Sequence, residues 1–154
     1  MINLLSKNKS PELILYNNIL SLSRNKLFYT KFSLADTFHN RINLIFFHIS
    51  FIFIKVNQNM KNSDYKNFQQ KLFDTMFFQI ELNMRELGYG DVSVNKNMKF
   101  LVKSFYSILF FCEKYEKKSK EYKKTFFKQY LVKINNKKVD YNDNLVNYFN
   151  DYQT

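Results

Sequence analysis

Residues 83–99 read NMRELGYGDVSVNKNMK and contain both glycines of the chain, Gly88 and Gly90. Glycine readily adopts the left-handed backbone conformation that ends many helices, because it has no Cβ to clash. We therefore predict that Gly88 ends one helix and that Gly90 forms a turn. Asp91 or Ser93 is then placed to cap the next helix. The segment predicts two helices joined by a short turn, and the rest of the fold follows outward from it.

Periodic patterns of apolar residues flank this turn on both sides. Before it, apolar residues recur every three or four positions over residues 65–87, which is the spacing of one helix face. Ser63 or Asp64 can cap the start of that helix. After the turn, the apolar positions of residues 94–112 form the inner face of another helix. The sequence therefore predicts a pair of connected amphipathic helices.

The N-terminal part of the chain begins with a helix signal. Residues 10–12, Ser-Pro-Glu, combine a capping hydroxyl, a proline suited to the first helical position and an acid in the first turn. We predict a helix from there to about Arg24. Residues 26–35 are aromatic and lack periodicity, so we interpret them as a packed connection between helices.

Asp36 is predicted to cap the following helix, which should run to about Asn57. That helix is apolar on nearly every side, so we place it at the centre of the bundle, with His48 near the middle. Its most apolar part, residues 42–56, would be roughly 22 Å long as a helix. This is shorter than the ~30 Å of a bilayer's hydrocarbon layer. We therefore interpret it as a buried core helix.

The end of the chain is rich in lysine. Residues 114–138 contain ten lysines against Glu116 and Glu121, interleaved with aromatic residues. A basic amphipathic helix and a partly disordered arm both fit this pattern. No stretch alternates strongly enough to indicate a sheet. We predict an all-α, single-domain bundle of four or more helices at residues 1–112, with a basic extension, helical or partly disordered, at residues 113–154.

The composition narrows the class of protein and leaves the partner open. A chain of 154 residues suits one domain with its own core. Cys112 is the only cysteine, so an internal disulfide is impossible, which suits a reducing compartment. The net charge of +11 favours an anionic partner such as nucleic acid or a membrane surface. Lysine outnumbers arginine 21 to 3, as an AT-rich gene would dictate, so the charge alone does not select a partner.

Motifs for catalysis are nearly absent. His39 and His48 are nine residues apart, which is not the i, i+4 spacing of a helical zinc pair. The GYG tripeptide lacks the other residues of a nucleotide-binding loop. A hydrolase could use the carboxylates of Asp74, Glu81 and Glu86 if two of them flanked a cleft. The three-to-four spacing of Lys71, Asp74, Glu81 and Arg85 fits ion pairs better than paired catalytic acids. We therefore predict a protein that is not an enzyme and binds no cofactor or metal.

Three arginines stand out in this lysine-rich chain: Arg24, Arg41 and Arg85. A guanidinium group beside an apolar helix requires a carboxylate or carbonyl partner. Arg41 follows Asp36 by five residues, so the two can brace the start of their helix. Alternatively, Arg41 reaches Asp91 or Glu86 on another element. The spacing leaves both arrangements open.

Four stretches carry a resemblance to a known family. They are LFYTKF at residues 27–32, ADTFHNRINLIFFH at 35–48, QQKLFDTMF at 69–77 and MRELGYGDVSVNKNMK at 84–99. Together they resemble the ubiquinol-cytochrome c chaperone family over residues 27–106, and the last stretch is similar to its most specific signature. The family commonly follows Phe-Tyr with Gly-Arg, whereas this chain reads FYSI at residues 105–108.

The resemblance implies residues that bind a client or partner, or that shape the motif. They are Asp36, Arg41, His48, Asp74, Arg85, Glu86, Gly88, Gly90, Asp91, Lys96 and Lys99. The function it implies is that of a chaperone that helps the cytochrome b subunit mature into respiratory complex III. The implied partners are newly made cytochrome b or another complex III component, the ribosome, an anionic membrane surface and a small helical partner protein.

The N-terminal sequence MINLLSKNKSPEL has too short an apolar run for a signal peptide. This N-terminus favours a bacterial protein, and the resemblance implies that it lies peripherally on the cytoplasmic side of the inner membrane, with the mitochondrial inner membrane or matrix as the alternative. The lysine-rich extension keeps a second function open, that of a basic RNA- or ribosome-binding module without a chaperone role.

Overall fold

A computed structural model of the chain describes residues 10–59, 63–132 and 141–153. These residues form α-helices and one turn of 3₁₀-helix, and no β-strand occurs among them. The elements are α1 (Pro11–Ser23), α2 (Lys26–Thr30), α3 (Phe38–Asn59), α4 (Ser63–Glu86), α5 (Asp91–Cys112), the 3₁₀ turn (Tyr115–Lys117), α6 (Lys120–Tyr130) and α7 (Tyr141–Gln153). The all-α fold predicted from the sequence is confirmed.

Helix α3 lies at the centre of the bundle because its sequence is apolar on nearly every side. It packs against α1, α4, α5 and α7. Most side chains of residues 42–53 are buried, and His48 is among them. The predicted buried core helix is therefore confirmed. Within the described ranges, no helix combines the length and the apolar character that crossing a bilayer would require.

Helix α1 starts as the sequence predicts. The backbone N–H of Leu13 donates a hydrogen bond to Ser10 Oγ at 3.2 Å, and Pro11 occupies the first helical position. Tyr16 and Ile19 are buried on the side of α1 that packs against α3 and α4. Three consecutive residues, Ser10, Pro11 and Glu12, thus form the predicted start of α1.

The connection predicted at residues 26–35 is partly helical, so that prediction needs correction. It contains α2, whose first turn is capped by Asn25, since Asn25 Oδ1 accepts a hydrogen bond from the N–H of Leu27 at 3.0 Å. Phe28 and Leu34 are buried in the core. A helix of five residues is too short to display the periodicity on which the prediction relied.

The predicted capping of α3 by Asp36 is wrong. Helix α3 begins at Phe38, and Thr37 Oγ1 accepts a hydrogen bond from the backbone N–H of Asn40 at 3.2 Å, as an N-cap does. The carboxylate of Asp36 instead accepts a hydrogen bond from Nε of Arg41 at 2.7 Å. Because α3 begins at Phe38, Thr37 and not Asp36 occupies the cap position.

Gly88 ends α4 as predicted, with a φ of +93°. Its N–H donates to the carbonyl of Arg85 at 3.0 Å, and the N–H of Tyr89 donates to the carbonyl of Met84 at 3.1 Å. These two hydrogen bonds form a Schellman motif, which satisfies the last carbonyl groups of the helix. A residue with a Cβ would be strained at this φ. The glycine at position 88 is therefore required by the turn.

The start of α5 differs from the prediction in its cap. The helix begins at Asp91, but its N-cap is Gly90, which has an ordinary φ of −73° and offers no side chain. Neither Asp91 nor Ser93 therefore caps the helix. The carboxylate of Asp91 binds Arg85 across the turn. Its place in the first turn also favours the positive end of the helix dipole.

The lysine-rich extension is helical where it is described, and it shares the core of the bundle. Helices α6 and α7 pack on each other, and α7 packs on α3. The rings of Phe127 and Phe149 are fully buried, with centroids 4.9 Å and 5.5 Å from the ring of Phe47 in α3. The division of the chain at residue 112 stays a prediction. Residues 133–140, with three of the lysines, lie outside the described ranges. Helix α4 begins at Ser63 and has Asp64, one of the two predicted caps, in its first turn. Residues 60–62, which precede the helix, lie outside the described ranges.

Candidate partner-binding surface at the α4–α5 turn

The residues singled out by sequence do not form one cluster. Arg85, Glu86, Gly88, Gly90 and Asp91 lie together at the α4–α5 turn, where all five residues are exposed. The other candidates lie at four separate places: Asp36 and Arg41 at the start of α3, His48 in the core, Asp74 on an exposed position of α4, and Lys96 and Lys99 on the exposed side of α5. Within the described residues, the turn is therefore the only place where more than two of these candidates meet.

Arg85 links the two helices that meet at the turn. Its guanidinium donates to Glu81 Oε1 at 3.1 Å, one turn back in α4, and to Asp91 Oδ1 at 2.5 Å, at the start of α5. The hydrogen bonds from Asp91 and then from Glu81 raise the pKa of Arg85 above its ordinary value. Arg85 thus holds the ends of α4 and α5 together at the turn. The ion pair between Glu81 and Arg85, which their spacing of four residues predicts, is confirmed.

Arg41 binds Asp36, so the structure selects one of the two arrangements left open by the sequence. The guanidinium of Arg41 lies 2.6 Å from Asp36 Oδ1, and both side chains are about half exposed. Asp91, the alternative partner, binds Arg85 instead. The pair braces the start of α3. Asp74 similarly has a local partner, because its Oδ1 accepts a hydrogen bond from the Gln70 side chain at 2.9 Å.

His48 is a core residue. Its Nδ1 lies 2.6 Å from the carbonyl oxygen of Leu44, and its Nε2 lies 2.7 Å from the hydroxyl of Tyr148 in α7. Burial lowers the pKa of His48 to about 4. The neutral ring therefore donates from Nδ1 to Leu44 and accepts at Nε2 from Tyr148. The side chain is fully buried, so it holds α7 to α3 and does not reach a surface.

A cavity of about 210 Å³ lies beside the turn, between α1, α3 and the end of α4. Apolar side chains form most of its wall, and polar groups lie among them. The lining consists of Tyr16, Leu20, Arg24, Phe38, Arg41, Ile42, Ile45, Asn83, Glu86 and Leu87. Two of the three arginines of the chain therefore border an apolar hollow.

Tyr16 and Arg24 contribute polar groups to this cavity, and sequence reasoning did not assign either to a site. Tyr16 is only 1% exposed, and its hydroxyl has no hydrogen-bond partner among the described residues. Burial raises its pKa to about 12, and the nearby charge of Arg24 opposes that rise. The rarity of arginine in the chain was the one signal that could have pointed to Arg24.

Exposed apolar side chains continue the cavity wall onto the turn. Leu87 is 61% exposed, and Tyr89 is partly exposed with its ring 6.4 Å from that of Phe38. Gly90 adds open space, because a Cβ there would meet no atom within 4 Å, and its φ is available to any residue. The fold of this chain therefore explains the glycine at position 88 but not the one at position 90. The surface suits an apolar peptide segment.

Among the residues that the structure describes, no group of three or more His, Cys, Asp or Glu side chains is arranged to hold a metal ion. Cys112 is buried in the core, which raises the pKa of its thiol well above the ordinary value. The polar groups at the turn are therefore arranged as ion pairs and as the rim of an apolar hollow.

Comparison with known proteins extends these observations. The family model described as Ubiquinol-cytochrome C chaperone matches residues 30–125, which include the turn. A solved structure described as the Cbp3 homolog from Brucella abortus is similar, with a TM-score of 0.65 and 26% identity, over 85% of this chain and 75% of that one. A search of curated proteins found no match. The matched region extends past the predicted 27–106 into α6.

Proposed function

Because the chain belongs to the ubiquinol-cytochrome C chaperone family, we propose that it assists assembly of respiratory complex III by holding newly made cytochrome b. The observation that carries this proposal is the family match over residues 30–125, most of the helical bundle. The similarity to the Cbp3 homolog supports it. In this role the protein binds a client, catalyses no reaction and needs no cofactor.

We propose that the client binds at the surface around the α4–α5 turn. Leu87 and Tyr89 offer exposed apolar area, and the adjoining cavity offers a hollow of side-chain size. A client of membrane helices presents apolar side chains before it is inserted, and such side chains bind apolar hollows. Arg85 and Gly88 act indirectly, by holding the turn in shape.

Loss of the protein tests the function. Cells that lack the gene should accumulate less complex III and less haem-loaded cytochrome b, measured by blue-native electrophoresis and by the absorbance of b-type haem. Normal levels of both would refute the assembly role. A second respiratory complex, measured in the same membranes, controls for general effects on respiration.

Site-specific crosslinking tests the surface. A photo-crosslinking residue in place of Leu87 should capture newly made cytochrome b, because this side chain is exposed beside the cavity. The same residue in place of Tyr122, which is half exposed on α6, is the matched control. Equal capture of cytochrome b from both positions would contradict a client site at the turn.

The lysine-rich α6 supports a second candidate, a role in RNA or ribosome binding. Part of its charge is used internally, however. Lys123 is buried, with its Nζ 4.0 Å from the centre of the Tyr115 ring and 3.2 Å from Asn150 Oδ1. The remaining lysines predict an affinity for RNA that falls steeply with salt. An affinity for RNA that does not change with salt would exclude the role in RNA or ribosome binding.

The proposed place of action is the surface of a membrane, since the proposed client is a membrane protein. In a bacterium this is the cytoplasmic side of the inner membrane, and in a mitochondrion it is the matrix side of the inner membrane. A small helical protein is a further proposed partner. Crosslinking of the tagged protein followed by mass spectrometry would identify such a partner together with client and ribosome.

A further inference from the structure

The side of α5 that faces away from α3 and α4 combines lysines with exposed apolar side chains. We call this the α5 outer face. Its residues are Val92, Lys96, Lys99, Phe100, Lys103, Tyr106 and Phe110. Tyr106 lies at the edge of the face, with its ring 5.9 Å from that of Phe73 in α4. They recur at steps of three and four along the helix, so they form one continuous stripe.

The apolar members of the α5 outer face are the most unusual feature of this stripe. Val92 is 84% exposed, Phe110 is 76% exposed and Phe100 is 60% exposed. An isolated exposed apolar residue is ordinary, but several on one helix face mark an interaction surface. The opposite side of α5 is already occupied, because Leu101, Phe105 and neighbouring residues are buried in the core.

The charge of the stripe has one sign. Residues 92–112 of α5 contain three lysines and no acidic residue. Asp91, the only acid of this helix, lies outside the stripe and binds Arg85. All three lysines are exposed. An anionic partner would therefore meet positive charge along the stripe without a compensating carboxylate.

We propose that the α5 outer face docks on an anionic lipid bilayer. A helix that lies in the membrane interface has lysines that reach the phosphate groups and apolar side chains that enter the boundary of the acyl chains. Lysine side chains can do both, because the apolar stem lies along the interface while the ammonium stays hydrated. The stripe has this composition, with Val92, Phe100 and Phe110 between or beside the lysines.

An RNA partner fits this surface less well. Lysines would contact phosphates, but Val92 cannot stack on a base and would stay exposed at 84%. The apolar client helix fits less well too, since it would contact Phe100 and Phe110 but leave three lysines facing hydrocarbon side chains. Anionic lipid is the partner that matches both kinds of residue.

Vesicle binding tests the proposal. The full chain should co-sediment with vesicles of phosphatidylcholine containing about one-third phosphatidylglycerol, and only weakly with pure phosphatidylcholine. Binding should weaken as salt rises, because the lysines contribute by screened electrostatics. Each lysine should contribute about five-fold in affinity, so the triple variant should bind on the order of a hundred-fold more weakly. That variant is Lys96→Gln, Lys99→Gln and Lys103→Gln.

Matched variants separate this face from general charge and hydrophobicity. The charge control removes three lysines elsewhere: Lys31→Gln, Lys66→Gln and Lys71→Gln. The apolar pair Phe100→Gln and Phe110→Gln should also lose binding, and its control is Ile14→Gln with Phe78→Gln, two other exposed apolar positions. All these side chains are exposed, so thermal unfolding should be unchanged.

Three results would overturn the proposal: equal binding to neutral and anionic vesicles, a triple variant that binds like its control, or lysine-dependent binding of single-stranded RNA without vesicle binding. The inference rests on the proposed function only in placing the protein at a membrane. If the protein binds vesicles but cells that lack the gene have normal complex III levels, the assembly role is refuted and the membrane-binding surface is supported. If position 87 crosslinks to the client but the protein does not bind vesicles, the assembly role is supported and the membrane-binding surface is refuted.

Discussion

His48 stays neutral in the folded protein because burial lowers its pKa to about 4, from an ordinary value of 6.5. The unfolded chain therefore takes up a proton near pH 6.5 that the folded chain does not. The stability that comes from the neutral ring is complete above pH 6.5 and is lost as the pH falls towards 4. Tyr148 and Tyr152, whose rings face His48, have pKa values raised to about 12 by burial and stay neutral in this range.

This linkage predicts that the free energy of unfolding falls by about 2 kcal/mol between pH 7 and pH 5 because of His48 alone. The variant His48→Gln has no such proton and should lose that part of the pH dependence. Urea unfolding of both proteins at the two pH values measures the difference. An undiminished pH dependence in the variant would contradict a buried, neutral histidine.

The two glycines of the turn should respond differently to substitution. Gly88→Ala places a Cβ at a φ of +93°, so we expect a loss of about 1–2 kcal/mol in the free energy of unfolding. Gly90→Ala keeps an allowed φ and meets no atom, so we expect a smaller loss of about 0.5 kcal/mol, because alanine is a poorer N-cap than glycine. Denaturant titrations measure both. Equal losses would mean that the turn is held by something other than the backbone at Gly88.

At the scale of the elements, aromatic side chains join the C-terminal helices to the rest of the bundle. The ring of Phe149 in α7 lies 5.5 Å from Phe47 and from Phe51 of α3, and 5.3 Å from Phe127 of α6. Aromatic pairs at such distances add to the stabilisation that burial provides. One residue thus connects three helices.

Phe149→Ala should lower the free energy of unfolding by about 3–5 kcal/mol, because it leaves a cavity among these rings. Phe110→Ala removes the same side chain from a position that is 76% exposed and should change stability little. The pair is compared by thermal and urea unfolding. A small effect at position 149 would show that α7 packs less tightly than its buried rings indicate.

At the scale of the whole molecule, the core does not end at Cys112. Tyr115, Phe127, Leu131, Leu145 and Phe149 belong to the same buried cluster as the side chains of α3. At residue 112 the sequence becomes rich in lysine, but the buried core continues into the residues that follow. Positive charge on the surface and aromatic residues inside are therefore features of the same segment.

A chain cut after Cys112 would expose the rings of Phe47 and Phe51 that α6 and α7 cover. We expect residues 1–112 to lose the cooperative unfolding of the full chain and to bind a hydrophobic dye. Calorimetry and dye fluorescence measure this. A truncated chain with a sharp transition would support the division at residue 112 as a division between independent units.

Local signals in the sequence predicted most of the helices. The start of α1, the end of α4 at Gly88 and the buried character of α3 each depend on a few neighbouring residues or on one periodic pattern, and each is confirmed. The short α2 was missed because five residues do not establish a period. The caps predicted at Asp36 and Asp91 were wrong because α3 begins at Phe38 and α5 begins at Asp91, which leaves Thr37 and Gly90 at the cap positions.

The sequence by itself determined that α1, α3, α4 and α5 are helices, where the α4–α5 turn lies and which family the chain resembles, because these properties are encoded in neighbouring residues. Only the tertiary structure decided that His48 pairs with Tyr148, 100 residues away, and that the lysine-rich segment contributes to the core. It also decided that Arg24 and Arg41 border one cavity and that three lysines share a face with exposed phenylalanines. Contacts between distant segments depend on how helices pack, and no local pattern records that packing.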